Sequence, residues 1–180
     1  FLSPFARLRL SAGVLFGIWY IGAEVLLKDT AGESIPSGCD IALCTADRID
    51  AADETGAGEV VVLSLDPFGK PVPDLPIGVT DYATSVRVHG DQIVPERNPG
   101  PALADRSVDD VLAAARNGAA AKGFTTGTRL LSTAAWGSPD ELVANLLTVF
   151  AGGASLVQVA NPDAGALERR RATEKVTADL

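Results

Sequence analysis

With 180 residues, 47% of them hydrophobic, the chain is long enough to bury a core and too apolar to be disordered. A formal charge of −8 argues against nucleic acid as a partner, because binding a phosphate backbone is driven largely by cations that replace counterions. Cys39 and Cys44 have no histidine or further cysteine near them to complete a tetrahedral zinc site, so no metal is expected. Both read as buried thiols of a reducing cytoplasm. Methionine is absent even at position 1, so Phe1 is not expected to be the translated start.

Residues 10–27 are apolar apart from Ser11 and Glu24 and follow Arg7 and Arg9. A membrane-spanning helix needs ~20 apolar residues, and Gly22-Ala23-Glu24 interrupts this run. A buried helix over about residues 11–21, then a strand at 24–27, is expected in preference to a membrane anchor or signal peptide. Residues 28–38 have the composition of a loop. Residues 40–44 read as a strand, Thr45 opens a helix that Gly56 to Gly58 end, and residues 59–65 form a second buried strand. The three make a βαβ unit, for which a right-handed crossover is the default. Asp66-Pro67-Phe68-Gly69 is a turn by composition, and Pro71, Pro73 and Pro76 hold the next stretch extended. Thr80 is the expected cap of a short helix through Tyr82, Val86 and Val88. Residues 91–105 contain three prolines and little periodicity, which predicts a long loop.

The clearest stretch is residues 107–160. Ser107 caps a helix carrying Val108, Val111, Leu112 and Ala115, and Lys122-Gly123 stops it. Residues 130–134 predict a strand. Ser138-Pro139-Asp140-Glu141 reads as a capping box with proline at the first helical position. Leu142, Val143, Leu146, Leu147 and Phe150 form the stripe behind it, and Gly152-Gly153 ends that helix. Residues 154–160 are apolar enough for a strand covered on both faces, the mark of a parallel sheet. Asn161-Pro162-Asp163 then opens a last helix carrying Leu167, Ala172 and Val176. The arginines at 169–171 read as a solvated helix face. The expected fold is α/β, with parallel helix-covered sheets in two similar sub-lobes of one domain, at about 1–90 and 107–180, joined by a loop at 91–106.

A weak internal repeat supports that plan. Ile18-Trp19-Tyr20-Ile21-Gly22-Ala23-Glu24-Val25-Leu26 aligns with Val149-Phe150-Ala151-Gly152-Gly153-Ala154-Ser155-Leu156-Val157, each an apolar helix, a small-residue turn and a strand. Ligands of open α/β sheets bind beyond the carboxyl ends of strands. Asp66 and Asn161 follow predicted strands, and the neighbourhood of Asp66, Ser132, Thr133 and Asn161 makes the candidate ligand pocket. No catalytic residue is assigned. His89 is the sole histidine, and no Gly-x-Ser-x-Gly elbow, dinucleotide fingerprint or Walker loop is present.

Three stretches then carry a resemblance: Phe16-Gly17-Ile18-Trp19-Tyr20-Ile21-Gly22-Ala23, the run from Lys122-Gly123-Phe124-Thr125-Thr126-Gly127-Thr128 to Ser132, and Phe150-Ala151-Gly152-Gly153-Ala154-Ser155-Leu156-Val157. In this order they resemble the N-terminal domain of the acyl-adenylate-forming, or AMP-binding, superfamily. Ala172-Thr173-Glu174-Lys175-Val176-Thr177 is similar to the helix end that follows there. The whole chain resembles a small family of shortened relatives of those enzymes from high-GC bacteria, with Asp66-Pro67-Phe68-Gly69 and Gly78-Val79-Thr80-Asp81-Tyr82 as its own features. The resemblance implies a glycine-rich phosphate loop with a lysine between the third strand region and the Ser107 helix. Residues 90–105 there are lysine-free and broken by proline, and Thr125-Thr126-Gly127-Thr128 imitates the loop in letters only. The expectation is a catalytically degenerate cytoplasmic protein that binds a ligand or a protein partner, with no cofactor and with ATP or AMP as the ligands to test. The alternatives are a ligase that borrows its nucleotide loop and C-terminal domain from a partner chain, and a membrane-associated protein held through residues 10–27. A homodimer is the expected way to cover apolar surface that a shortened domain leaves open.

Overall fold

The computed structural model describes residues 8–27, 38–64, 66, 68–94, 100–160 and 162–180. Helix α1 (Leu8–Tyr20) stops where the apolar run reaches Gly22, whose φ of 76° lies in the left-handed region. The Gly22 N–H donates to the Trp19 carbonyl at 3.1 Å and the Ala23 N–H to the Ile18 carbonyl at 3.0 Å, a Schellman closure that satisfies the last-turn carbonyls. At 13 residues α1 rises about 20 Å, short of the ~30 Å hydrocarbon core. Among the described residues no helix is long and apolar enough to cross a membrane. The strand expected at 24–27 is reduced to one parallel bridge between Val25 and Leu103.

The first sheet is parallel, in the order β1 (Ile41–Cys44), β2 (Glu59–Val62), β3 (Val79–Asp81). Its apolar face, Ala42, Cys44, Val60 and Val62, packs on Ala52 of α2 (Ile49–Asp53). Thr45 does not cap that helix as expected. Its buried hydroxyl donates to Asp47 Oδ1 at 2.6 Å, and the chain enters through a 3₁₀ turn, Ala46–Arg48.

Strand β3 corrects the reading of Thr80 as a cap. Thr80 lies in the strand, and the cap of α3 (Tyr82–Ser85) is Asp81, which accepts the Thr84 N–H at 2.8 Å and the Thr84 hydroxyl at 2.6 Å. The other Asp81 oxygen accepts the Val72 N–H at 3.0 Å and so ties the proline-rich stretch to the sheet edge. Burial pushes the Asp81 carboxyl up, but the hydrogen bonds from Thr84 and Val72 and the charge of Arg87 outweigh it. The carboxyl is held below its ordinary value of 3.8. A carboxyl depressed in the folded state adds stability that is complete above the unfolded pKa and lost as pH falls through the folded one. The unfolding midpoint should therefore fall more steeply below about pH 4 in the natural chain than in Asp81→Asn. Parallel acid profiles would show that Asp81 plays no such part.

Residues 101–107, expected as loop through Asp105, form a hairpin of β4 (Pro101–Leu103) and β5 (Arg106–Ser107). Ala104 and Asp105 at its turn have φ of 48° and 61°, positions that favour glycine or asparagine. Glu24 Oε1 accepts the Asp105 N–H at 3.0 Å and secures the turn. Helix α4 (Val108–Lys122) follows, capped by Ser107 and closed by Gly123 at φ 67°, both as expected.

Strand β6 (Arg129–Ser132) leads to the capping box, with Glu141 N–H to Ser138 Oγ at 3.3 Å and Ser138 N–H to Glu141 Oε2 at 3.2 Å. The helix runs from α5 (Pro139–Leu142) through a π segment, Val143–Leu147, into α6 (Thr148–Ala151). Strand β7 (Ser155–Gln158) pairs in parallel with β6. Helix α7 (Ala164–Glu174) is capped by Asp163, while Asn161, expected to open it, lies outside the described residues. Lys175 at φ 53° closes α7, so Val176 falls beyond the helix that was expected to carry it. An unforeseen strand, β8 (Ala178–Asp179), then joins the other side of β6 to give a second parallel sheet, β7-β6-β8. Arg171 pairs with Glu168 and Asp179, and Arg129 with Glu174, so the arginine run partly serves to dock α7 and β8.

The two copies of the repeat close alike. Gly153, aligned with Gly22, has φ 72°, and its N–H and that of Ala154 reach the Phe150 and Val149 carbonyls, the aligned partners. The helices that lead into the two turns also meet: Phe16 of α1 packs edge-on against Phe150 of α6, with ring centroids 5.7 Å apart. The largest core cluster joins Leu15 and Val25 to Leu103, Val111, Ala115, Leu142 and Leu146, so α1 packs with the hairpin, α4 and α5.

Candidate functional site

The carboxyl end of β6 and β7 is where polar groups gather. Ser132 ends β6 with 1% of its surface exposed, its hydroxyl accepts the Ala134 N–H at 3.1 Å, and its carbonyl accepts the Val159 N–H at 2.8 Å. Thr133, next in the chain, is exposed. From there to Ser138 the backbone leaves the sheet and is held by side chains. Gln158 Nε2 donates to the Ala134 carbonyl at 2.8 Å, Asn145 Nδ2 to the Ala135 carbonyl at 2.8 Å, and Glu141 Oε2 accepts the Gly137 N–H at 2.9 Å.

Sequence and local structure explain these tethers. Gln158 stands opposite Ser132 in the parallel register, at the strand end nearest the loop. Asn145 lies in the π segment, Val143–Leu147, among buried Val143, Leu146 and Leu147. Such segments recur at functional sites. The Ala134 carbonyl can only accept, so the atom facing it is the Gln158 amide nitrogen and Oε1 is turned away. Gln158 Oε1 on β7 is buried without a hydrogen-bond partner, and so is Trp136 Nε1 in the loop after β6. The Trp136 ring packs against the cluster that contains Leu142 and Leu146. Each orphaned group costs about 1–3 kcal/mol, and a native fold that keeps two of them calls for a cause.

Of the candidate pocket residues, Ser132 and Thr133 lie at this site. Asp66 follows β2 in the first sheet, and its carboxylate accepts the Phe68 N–H at 2.8 Å and the Lys70 N–H at 3.3 Å of its own turn. Among the described residues no hydrogen bond links Asp66 to the β6 loop. Asn161 is outside the described residues. Sequence reading missed Trp136, Asn145 and Gln158. A glutamine among Leu156, Val157 and Val159, and an asparagine within a leucine-rich helix, were the available signals. Cys44 is buried and Cys39 half-buried, and His89 is exposed at the end of a 3₁₀ turn. Among the described residues no group of three or more histidine, cysteine, aspartate or glutamate side chains could hold a metal ion.

This fold is shared with solved enzymes. A Rhodopseudomonas palustris protein assigned as a long-chain-fatty-acid CoA ligase superposes with a TM-score of 0.69 at 15% identity, over 94% of this chain and 46% of that one. The N-terminal subdomain of Klebsiella oxytoca NpsA, solved in complex with 3-hydroxybenzoyl-AMSN, superposes with a TM-score of 0.55 at 16% identity, over 92% and 42% of the two chains. The chain thus spans less than half the length of either structure, and its fold is the α/β fold of the N-terminal subdomain of adenylate-forming enzymes. No protein-family model matches it. It is 60% identical over 172 residues to the TIGR03089 family protein of Mycobacterium tuberculosis, a match covering 93% of this chain and 68% of that protein. The chain belongs to that family.

Proposed function

We propose that the chain is a catalytically degenerate protein of the adenylate-forming fold, working in the cytoplasm as a ligand-binding or protein-interaction module. The observation that carries this reading lies between β3 and α4, where the resemblance implies a glycine-rich phosphate loop with a lysine. Among the described residues that interval holds a proline-led hairpin, and the sequence has no lysine between Lys70 and Lys122. The hairpin turn is held by the Glu24 carboxylate, which accepts the Asp105 N–H, and the hairpin's cation, Arg106, is paired with Asp140. Triphosphate binding needs the opposite: amide dipoles and positive charge aimed at the oxygens. Ligand binding without that loop is supported by the unpartnered polar atoms of Trp136 and Gln158 at the carboxyl end of β6 and β7, and by NpsA, whose N-terminal subdomain of this fold was solved with 3-hydroxybenzoyl-AMSN.

Pyrophosphate release from ATP, assayed over a panel of carboxylic acids, tests the proposal. Release should stay at the enzyme-free background with every acid. Acid-dependent release by the chain alone would contradict degeneracy. Release only on adding a co-purifying partner would establish instead the ligase that borrows its nucleotide loop.

A further inference from the structure

One face of α1 is left bare. Arg9, Gly13, Phe16, Gly17 and Tyr20 follow one another at helical spacing and stand in a single stripe along the helix. Leu15, on the other side, is buried in the largest core cluster. On the stripe Phe16 is 41% and Tyr20 53% exposed, and among the described residues a Cβ added at Gly13 or Gly17 would meet nothing within 4 Å. Phe150 of α6, 44% exposed, flanks it with its ring centroid 5.7 Å from that of Phe16. Glycine inside a helix costs stability relative to alanine and suits places where another backbone comes close. Here two glycines, one turn apart, open a groove that no described part of the chain fills.

We propose that this face is where two copies of the chain pair, α1 against α1, antiparallel about a twofold axis that passes between Phe16 and Gly17. A twofold interface must fit its own copy, and the stripe does so residue by residue. In that register Phe16 of one copy lies over Gly17 of the other, and Tyr20 over Gly13, so each ring faces a gap instead of a second ring.

Charge fits the same register. Arg9 stands in the first turn of α1 and Glu24 just past its Gly22 closure, and the antiparallel pair sets the arginine of one copy beside the glutamate of the other, twice. A parallel pair would set arginine against arginine. Residues 10–23, between them, carry no charge. Two chains of net charge −8 repel each other, and here they can meet without opposing carboxylates. The antiparallel helix dipoles attract as well. Pairing through α1 requires no ligand at the β6 loop, so it stands or falls apart from the degenerate reading.

Sedimentation equilibrium of the full chain tests the pairing. One helix from each copy makes a small interface, so the natural chain should dimerise weakly, with a dissociation constant of roughly 10–100 µM. Gly17→Gln fills the groove with a side chain for which the single chain has room, and glutamine is a better helix former than glycine. It should weaken the dimer ~10-fold or more. The unfolding midpoint of that variant, measured at about 1 µM chain, where the natural protein is mostly monomeric at that affinity, should not fall. Arg9→Glu, which sets a like charge beside Glu24 of the second copy, should weaken the dimer as well. A natural chain that stays monomeric at ~1 mM overturns the inference, and so does a dimer that either variant leaves unchanged, since the contact would then lie on another surface or in another register. With pyrophosphate release at background, either result removes the pairing and leaves the degenerate reading in place.

Discussion

Leu103→Ala should lower the unfolding free energy by about 2–5 kcal/mol, the range for emptying a buried leucine site. Leu103 has no exposed surface, and it lies where several elements meet. It belongs to β4, is the bridge partner of Val25, and shares a core cluster with Leu15 of α1, Val111 of α4 and Leu142 of α5. Truncation there leaves a cavity bounded by a strand and three helices, which cannot all move inward together. Urea unfolding checks this, with the change read from the midpoint at constant slope. A loss below about 1 kcal/mol, well under that range, would mean that the hairpin packs loosely and does not join the two parts of the repeat.

Gly152→Ala should cost about 1–3 kcal/mol, the usual range for overpacking. An added Cβ would stand 2.7 Å from Phe124 Cβ, 3.1 Å from the Phe124 carbonyl oxygen and 3.3 Å from Ala119 Cβ. Gly152 has an ordinary right-handed conformation, φ −80° and ψ −3°, so the cost is purely steric. Because the contacts are with the backbone side of Phe124 and not its ring, Phe124→Ala should not rescue the variant. Gly127→Ala provides the comparison, since its nearest neighbour would be Thr125 Oγ1 at 3.9 Å. That change should stay within about 0.5 kcal/mol of the natural chain. Equal effects at 152 and 127 in thermal unfolding would contradict the close packing of the repeat turn on the end of α4.

These two positions show what could be read from the sequence. Gly152 and Gly153 were legible because glycine punctuates a helix end, and the aligned Gly22 makes the same closure. Ser107, and Ser138 with Glu141, were legible because capping chemistry is local. Leu103 was not, because its hairpin turns through Ala104 and Asp105 where a glycine or asparagine would have signalled the reversal. Strands β3 and β8, of three and two residues, are too short to show a period, and their pairing with β2 and β6 is a tertiary fact.

The site divided in the same way. Ser132 and Thr133 stand at the carboxyl end of an apolar strand of a parallel sheet, a position that the sequence pattern makes legible. Asp66 satisfied the same rule, yet its carboxylate is spent on the amides of its own turn, the ordinary chemistry of aspartate before proline. Trp136 reads in sequence as one more core aromatic. That its N–H lacks a partner depends on where the Gln158 and Asn145 amides point, and local spacing carries no record of that.

The central claim is that this chain keeps an adenylate-forming fold without a nucleotide cradle. Thermal unfolding of the full chain with and without ATP or AMP tests it most directly, because any ligand that binds the folded state must raise the midpoint. The account predicts the same midpoint with and without millimolar nucleotide. A rise that grows with nucleotide concentration would contradict it, showing that a nucleotide site survives without the lysine-bearing loop.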